Sequence, residues 1–148
     1  MDVNTEPDSM LSAFVGMANH IGLEFGVTLH VSGTIVSGTL ISFGTYLKSV
    51  AESVRMMNAP QGGRAGPESF AAAFDRLSDQ HQAGIAEINS EASGDEDDLP
   101  SGQPWDPYVH LRDAVVWAPG VEPTLPRTLW RGRLSHVSAW SVGTFGVS

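Results

Sequence analysis

The order of apolar and polar positions divides the chain into helical and extended stretches. Met10, Phe14, Met17, Ala18 and Ile21 recur at three- and four-residue intervals, which predicts a first helix with one apolar face. Asp8 or Ser9 stands where its N-terminal cap belongs, and Gly22 where it should stop. The period then changes to two. Leu23, Phe25, Val27, Leu29 and Val31 alternate with Glu24, Gly26, Thr28, His30 and Ser32, the pattern of a half-buried strand. Ser32-Gly33 is a tight-turn signal. Residues 34–43, rich in β-branched side chains, predict a returning strand with a bend or bulge at Gly38. After Phe43 the helical spacing returns in Tyr46, Leu47, Val50, Val54 and Met57. Residues 58–67 are rich in Gly and Pro and predict a loop. A third helix is expected from Glu68 to about Asn89. Its stripe is Phe70, Ala73, Phe74, Leu77, His81, Ile85 and Ile88, and Gly84 weakens its late turns.

Beyond that helix the pattern lapses. Residues 90–106 are polar and predict an acidic mobile linker, and residues 1–8 a flexible leader. Strands resume at Tyr108. Val109 and Leu111 alternate with His110 and Arg112, and Ala114 to Trp117 continue the apolar run. Three prolines between Ala118 and Pro126 predict a loop. A fourth strand is expected over 128–137, with Trp130, Gly132 and Leu134 on one face and Arg131 and Arg133 on the other. A phase slip at Ser135-His136 marks a bulge or tight turn before a fifth strand over 137–142. Neither strand group is stable alone, so the two should join. The expected fold class is α+β, a single domain over 1–148. It would be an antiparallel sheet or small barrel of about five strands, with an N-terminal helix and a helical insertion between strands 2 and 3.

Charge narrows the partners. The formal net charge is -9 over 148 residues, with only eight Lys or Arg. An acidic chain repels phosphate, so general nucleic-acid binding is not expected. No cysteine is present, which removes disulfides, thiol nucleophiles and cysteine-based metal sites. No apolar run approaches the roughly 20 residues that span a bilayer, and the start is acidic where a signal peptide is basic. The expectation is a cytoplasmic protein with no membrane partner.

The search for chemistry finds little. His20, His30, His81, His110 and His136 form no metal-binding pair at helical spacing, and no calcium-loop pattern occurs. His30, His110 and His136 could share a sheet face and titrate near neutral pH, although solvent-facing strand histidines are the simpler expectation. There is no Gly-x-Ser-x-Gly elbow, phosphate loop or dinucleotide fingerprint. The expected catalytic, cofactor and metal sites are therefore none. Five of the seventeen acidic residues lie between Glu91 and Asp98, the mark of a solvated linker. Half of the basic residues (Arg112, Arg127, Arg131 and Arg133) fall in one short stretch, a basic island in an acidic chain. Arg131 and Arg133 should share a strand face, with Arg112 on a neighbouring strand. Such a patch could hold an acidic partner by charge-assisted hydrogen bonds. The competing reading pairs these arginines with the chain's own carboxylates. Trp105, Trp117, Trp130 and Trp140 are expected mostly in the core, with one or two exposed as interface anchors. The candidate protein-binding residues are Arg112, Trp130, Arg131 and Arg133.

Three stretches taken in order carry a resemblance. They are residues 27–42 (VTLHVSGTIVSGTLIS), 108–114 (YVHLRDA) and 129–143 (LWRGRLSHVSAWSVG). Together with the first helix and the Thr45-Tyr46-Leu47 helix start, they resemble the gas vesicle protein U family of accessory proteins. The resemblance covers roughly residues 1–57 and 108–144 and omits 58–107. It implies a non-catalytic cytoplasmic protein at the gas vesicle surface. Its partners would be the gas vesicle shell, other gas vesicle accessory proteins, or its own copies in a homo-oligomer. It would act in clustering or assembly. The resemblance carries over no binding residue. A fainter similarity is to the Sm-like barrel, which would imply a nucleic-acid-binding or self-assembling ring module. Gly44 and Lys48 stand near where RNA-binding members carry Asp and Asn, and that departure argues against RNA. A small enzyme with an unrecognised site is the third alternative.

Overall fold

The computed structural model describes residues 6–56, 67–91, 107–122 and 127–144. Helix α1 spans Ser9–Ile21. Asp8 caps it, its side chain accepting a hydrogen bond from Leu11 N at 2.9 Å. Gly22 closes it in the left-handed region. The face on the sheet is Leu11, Val15 and Ala18, with Phe14 packed beside it, whereas Met10 and Ile21 of the expected face are exposed, because the helix is rotated by about one position from the expected stripe.

Strands β1 (Phe25–Val31) and β2 (Thr34–Ile41) form an antiparallel hairpin. Its two-residue turn, Ser32-Gly33, has φ of 48° and 77°. Positive φ at both positions matches the twist of the flanking strands, and glycine adopts it without a Cβ clash. β2 then pairs with β3 (Tyr108–Trp117), with a register shift at the expected Gly38. There the chain passes so close to β3 that a Cβ would stand 2.9 Å from Arg112 O. β3 pairs with β4 (Thr128–Arg133), and β1 pairs with β5 (Val137–Val142). The strand order is β4-β3-β2-β1-β5, all antiparallel.

That order fixes the shape of the sheet. β4 and β5 lie at its two ends, yet only the 3₁₀ turn Leu134–His136 joins them in the chain. Laid flat, five strands would hold the end strands roughly 19 Å apart. Three residues of 3₁₀ helix advance about 6 Å. The sheet must therefore curl until its ends approach. The inside of the curl is the core: Val27 and Leu29, Val36 and Leu40, Val109, Leu111 and Ala114, and Leu134, closed by α1. Phe14 of α1 meets Phe25 and Trp140 edge-on at 5.0 and 5.6 Å.

The insertion between β2 and β3 is two helices, α2 (Phe43–Met56) and α3 (Pro67–Glu91). Ser42 starts α2, its Oγ accepting from Thr45 N and its carbonyl from Tyr46 N. The pair runs antiparallel. Arg55 near the end of α2 meets Asp75, and the Gly44 carbonyl at its start accepts from Ser78 Oγ at 2.9 Å. Asn19 of α1 ties in α2, its Oδ1 accepting from Phe43 N at 2.8 Å. The expected α+β class, five strands, N-terminal helix and helical insertion are the architecture observed.

Several boundaries move. The returning strand ends at Ile41 rather than Phe43, because Ser42 caps α2. The fourth strand ends at Arg133, because the chain must turn to reach the other end of the sheet. In α3 the buried line is Ala71, Ser78, His81 and Ile85, while Phe70 and Leu77 of the expected stripe are 57% and 50% exposed. Small residues let α3 approach α2 closely, so the seam does not follow the largest side chains. Of the tryptophans, Trp117, Trp130 and Trp140 are half-buried, and Trp105 lies outside the described residues. Residues 90 and 91 of the expected linker belong to α3, and 92–106 lie outside the described residues, as do 1–5 of the expected leader and most of the loop at 58–67.

Candidate functional site

The Trp-Arg-Gly-Arg run lies in β4, an end strand that among the described residues pairs only with β3. Alternation puts Trp130 and Leu134 toward the core and Arg131 and Arg133 on the outer face. The intervening Gly132 has a steric reason. The Trp130 ring lies across it, and a Cβ there would stand 2.2 Å from the ring's Cη2. Glycine lets the indole lie flat against its own strand and still reach the core.

The outer face gathers side chains from three elements. Register sets Arg131 opposite His110 and Arg133 opposite Tyr108. The Arg131 guanidinium stacks on the Tyr108 ring at 4.0 Å and reaches toward Phe43 at 5.8 Å, and Arg133 lies 5.8 Å from Tyr108. Among the described residues neither arginine forms an ion pair or hydrogen bond, and both are exposed. They are held by an aromatic ring that leaves their N–H groups to the solvent. Arg112 differs. Its Nη2 lies 2.9 Å from Glu24 Oε2, so this arginine follows the self-pairing reading. It also borders a groove of about 490 Å³ between α2 (Ser49, Val50, Ser53, Val54) and the start of β4 (Thr128, Leu129).

The four candidate residues are thus divided. Arg131 and Arg133 share one ledge, Trp130 backs it from the core side, and Arg112 stands two residues from His110 on the same face with its charge matched. Sequence reasoning missed Tyr108 and Phe43, the ring partners. Tyr108 has the same strand parity as His110, so a β3–β4 register would have placed it beside Arg133. Nothing local signals Glu24.

His110 is corrected most sharply. Expected on a solvent-facing strand face, it is 1% exposed. The helical insertion covers that face: Tyr46 and Phe43 ring centroids lie 4.7 and 5.2 Å from the imidazole. Burial, then the Arg131 charge and His81, push its pKa from 6.5 down to about 3. His81, on the other side of Phe43 at 5.1 Å, is also lowered, first by burial and then by His20. His30 and His136 are exposed, so of the three histidines expected on the strands only His110 is taken out of water. Among the described residues no group of three His, Asp or Glu could hold a metal ion.

Comparison with known families matches the model described as "Gas vesicle protein GvpU-like" over residues 8–145. The chain belongs to the GvpU-like family. The match runs through 58–107, where the sequence resemblance had lapsed. No curated protein and no solved structure matches. Membership in the GvpU-like family makes this a gas-vesicle-associated protein of accessory type. No helix among the described residues is long and apolar enough to cross a membrane.

Proposed function

We propose that the chain acts as a single-domain, non-catalytic accessory protein that binds the gas vesicle shell or other gas vesicle proteins and promotes their clustering or assembly. Contact runs through the ledge of Arg131 and Arg133, backed by Trp130 and flanked by Arg112. The observation that carries this reading is the pair of exposed guanidiniums seated on Tyr108 without a carboxylate among the described residues. In a chain of net charge -9 that ledge is a local reversal of sign, suited to an acidic protein surface. The protein works in the cytoplasm at the vesicle surface and self-associates, so that one assembly can bridge two vesicles. Neither a cofactor nor a nucleic acid takes part.

Purified gas vesicles float while unbound soluble protein does not, which gives a direct test. Wild type should float with vesicles, and an Arg131→Glu, Arg133→Glu variant of native circular dichroism should stay below. If both float, the ledge is not the contact. If neither does, direct shell binding is wrong and the partner is another gas vesicle protein.

A further inference from the structure

β4 is more than a carrier of two charges. It ends the strand order, so among the described residues the backbone N–H and C=O groups along its outer side have no ladder partner. Such an edge is a template for a further strand. The other end of the sheet, β5, also has no outer partner among the described residues, but Val137, Ser138, Ala139, Trp140, Ser141 and Val142 carry no charge. β4 instead presents like charges two residues apart on one face. Pairing β4 with β4 of another copy would bring arginines near arginines, which is unfavourable. The edge therefore discourages pairing with the same strand of another copy and favours a strand of opposite sign.

We infer that β4 accepts an extended acidic segment of a partner protein as a sixth strand, with carboxylates at alternate positions against Arg131 and Arg133. This deepens the ledge reading and rests on it. Side chains two apart on an added strand project to one face. Acidic residues at those positions meet the guanidiniums, which already lie pre-oriented on Tyr108. The residues between them face the core side and extend the apolar surface of the half-buried Trp130. The recognition pattern is acidic–apolar–acidic, read by main-chain bonds for affinity and by two arginines for sign. At the Thr128 end the segment runs toward the groove beneath α2, where Ser49 and Ser53 already donate their hydroxyls within the helix, to Thr45 O and Ser49 O. That groove offers room rather than a hydrogen-bonding code.

The probe is a labelled, end-blocked peptide of alternating glutamate and valine, titrated by fluorescence anisotropy. A second peptide has the same sequence with alternate backbone nitrogens methylated, which keeps the charge and removes half of the main-chain donors. The first should bind wild type and weaken with salt. Binding should fall about ten-fold or more in Arg131→Glu, Arg133→Glu, and by a similar factor for the methylated peptide. An Arg131→Lys, Arg133→Lys variant, which keeps the charge but not the planar fork, should fall between. Equal binding of the two peptides would overturn strand addition, since charge alone would suffice. Indifference to the arginine reversal would overturn it too. If no peptide binds while vesicle flotation still needs the arginines, the sixth strand is wrong and the ledge reading survives. If the peptides behave as expected but vesicles do not float, the edge stands and shell binding falls.

Discussion

His110 offers a quantitative test of how tightly the helical insertion seals the sheet. It is buried beneath Phe43 and Tyr46, with Arg131 across the ladder and His81 beyond Phe43. Those surroundings hold its pKa near 3, whereas the unfolded chain protonates it at about 6.5. Between those values the unfolded state binds a proton that the folded state refuses, so stability is lost as the pH falls. The loss begins near pH 6.5 and levels off near 3. At pH 5 the two pKa values give a cost of about 2 kcal/mol from this one residue, a large share of a typical 5–15 kcal/mol. The perturbation is His110→Phe, which keeps a ring against Phe43 and Tyr46 and removes the titration. The assay is urea unfolding followed by tryptophan fluorescence at pH 7 and pH 5. The difference between the two proteins isolates the His110 proton together with its coupling to His81. The variant should lose about 2 kcal/mol less than wild type on acidification. Equal losses would mean that His110 titrates in the folded protein as it does unfolded, and that the insertion does not seal this face.

Gly132→Ala should cost about 1–3 kcal/mol by driving the Trp130 ring from its seat. In a Trp130→Leu background the same change should be nearly neutral, and an undiminished cost there would move the cause from the ring to the backbone. Asp8→Ala should lower stability by about 1 kcal/mol through the lost cap on α1, read as a lower melting temperature, and Asp8→Ser should restore most of it.

The strands of the curled sheet were legible because one face of each is apolar and the other is not. Val27, Leu29 and Leu111 announce their elements by alternation alone, Gly22 marks the end of α1, and of the two cap candidates Asp8 and Ser9 the fold uses Asp8. Long-range cover was not legible. His110 alternates like a solvent-facing residue, and only a helix inserted some sixty residues earlier makes it a core group. The α3 stripe held at His81 and Ile85 but not at Phe70 and Leu77, for a related reason. Apolar spacing identifies a helix, but Ala71 and Ser78 line the seam by being small while Phe70 remains outside. Of the candidate site, the facing of Arg131 and Arg133 came from parity. Their aromatic seat required the β3–β4 register, and the matching of Arg112 by Glu24 required the fold.

The short link at Leu134–His136 has a consequence for how the protein comes into being. β1 is made early, but one of its two neighbours, β5, is made more than a hundred residues later, and Ser138 donates to the His30 carbonyl across that separation. During synthesis the first hairpin therefore waits with one bare side, accompanied by α1 and then by the helical pair. The sheet can complete its curl only when residues 137–142 emerge and dock. Folding should be slow for so small a chain, governed by this distant pairing rather than by the helices. Nascent chains stopped before β5 would expose the apolar alternation of β1 to their neighbours, which makes the last strand the step that decides between the native sheet and aggregation.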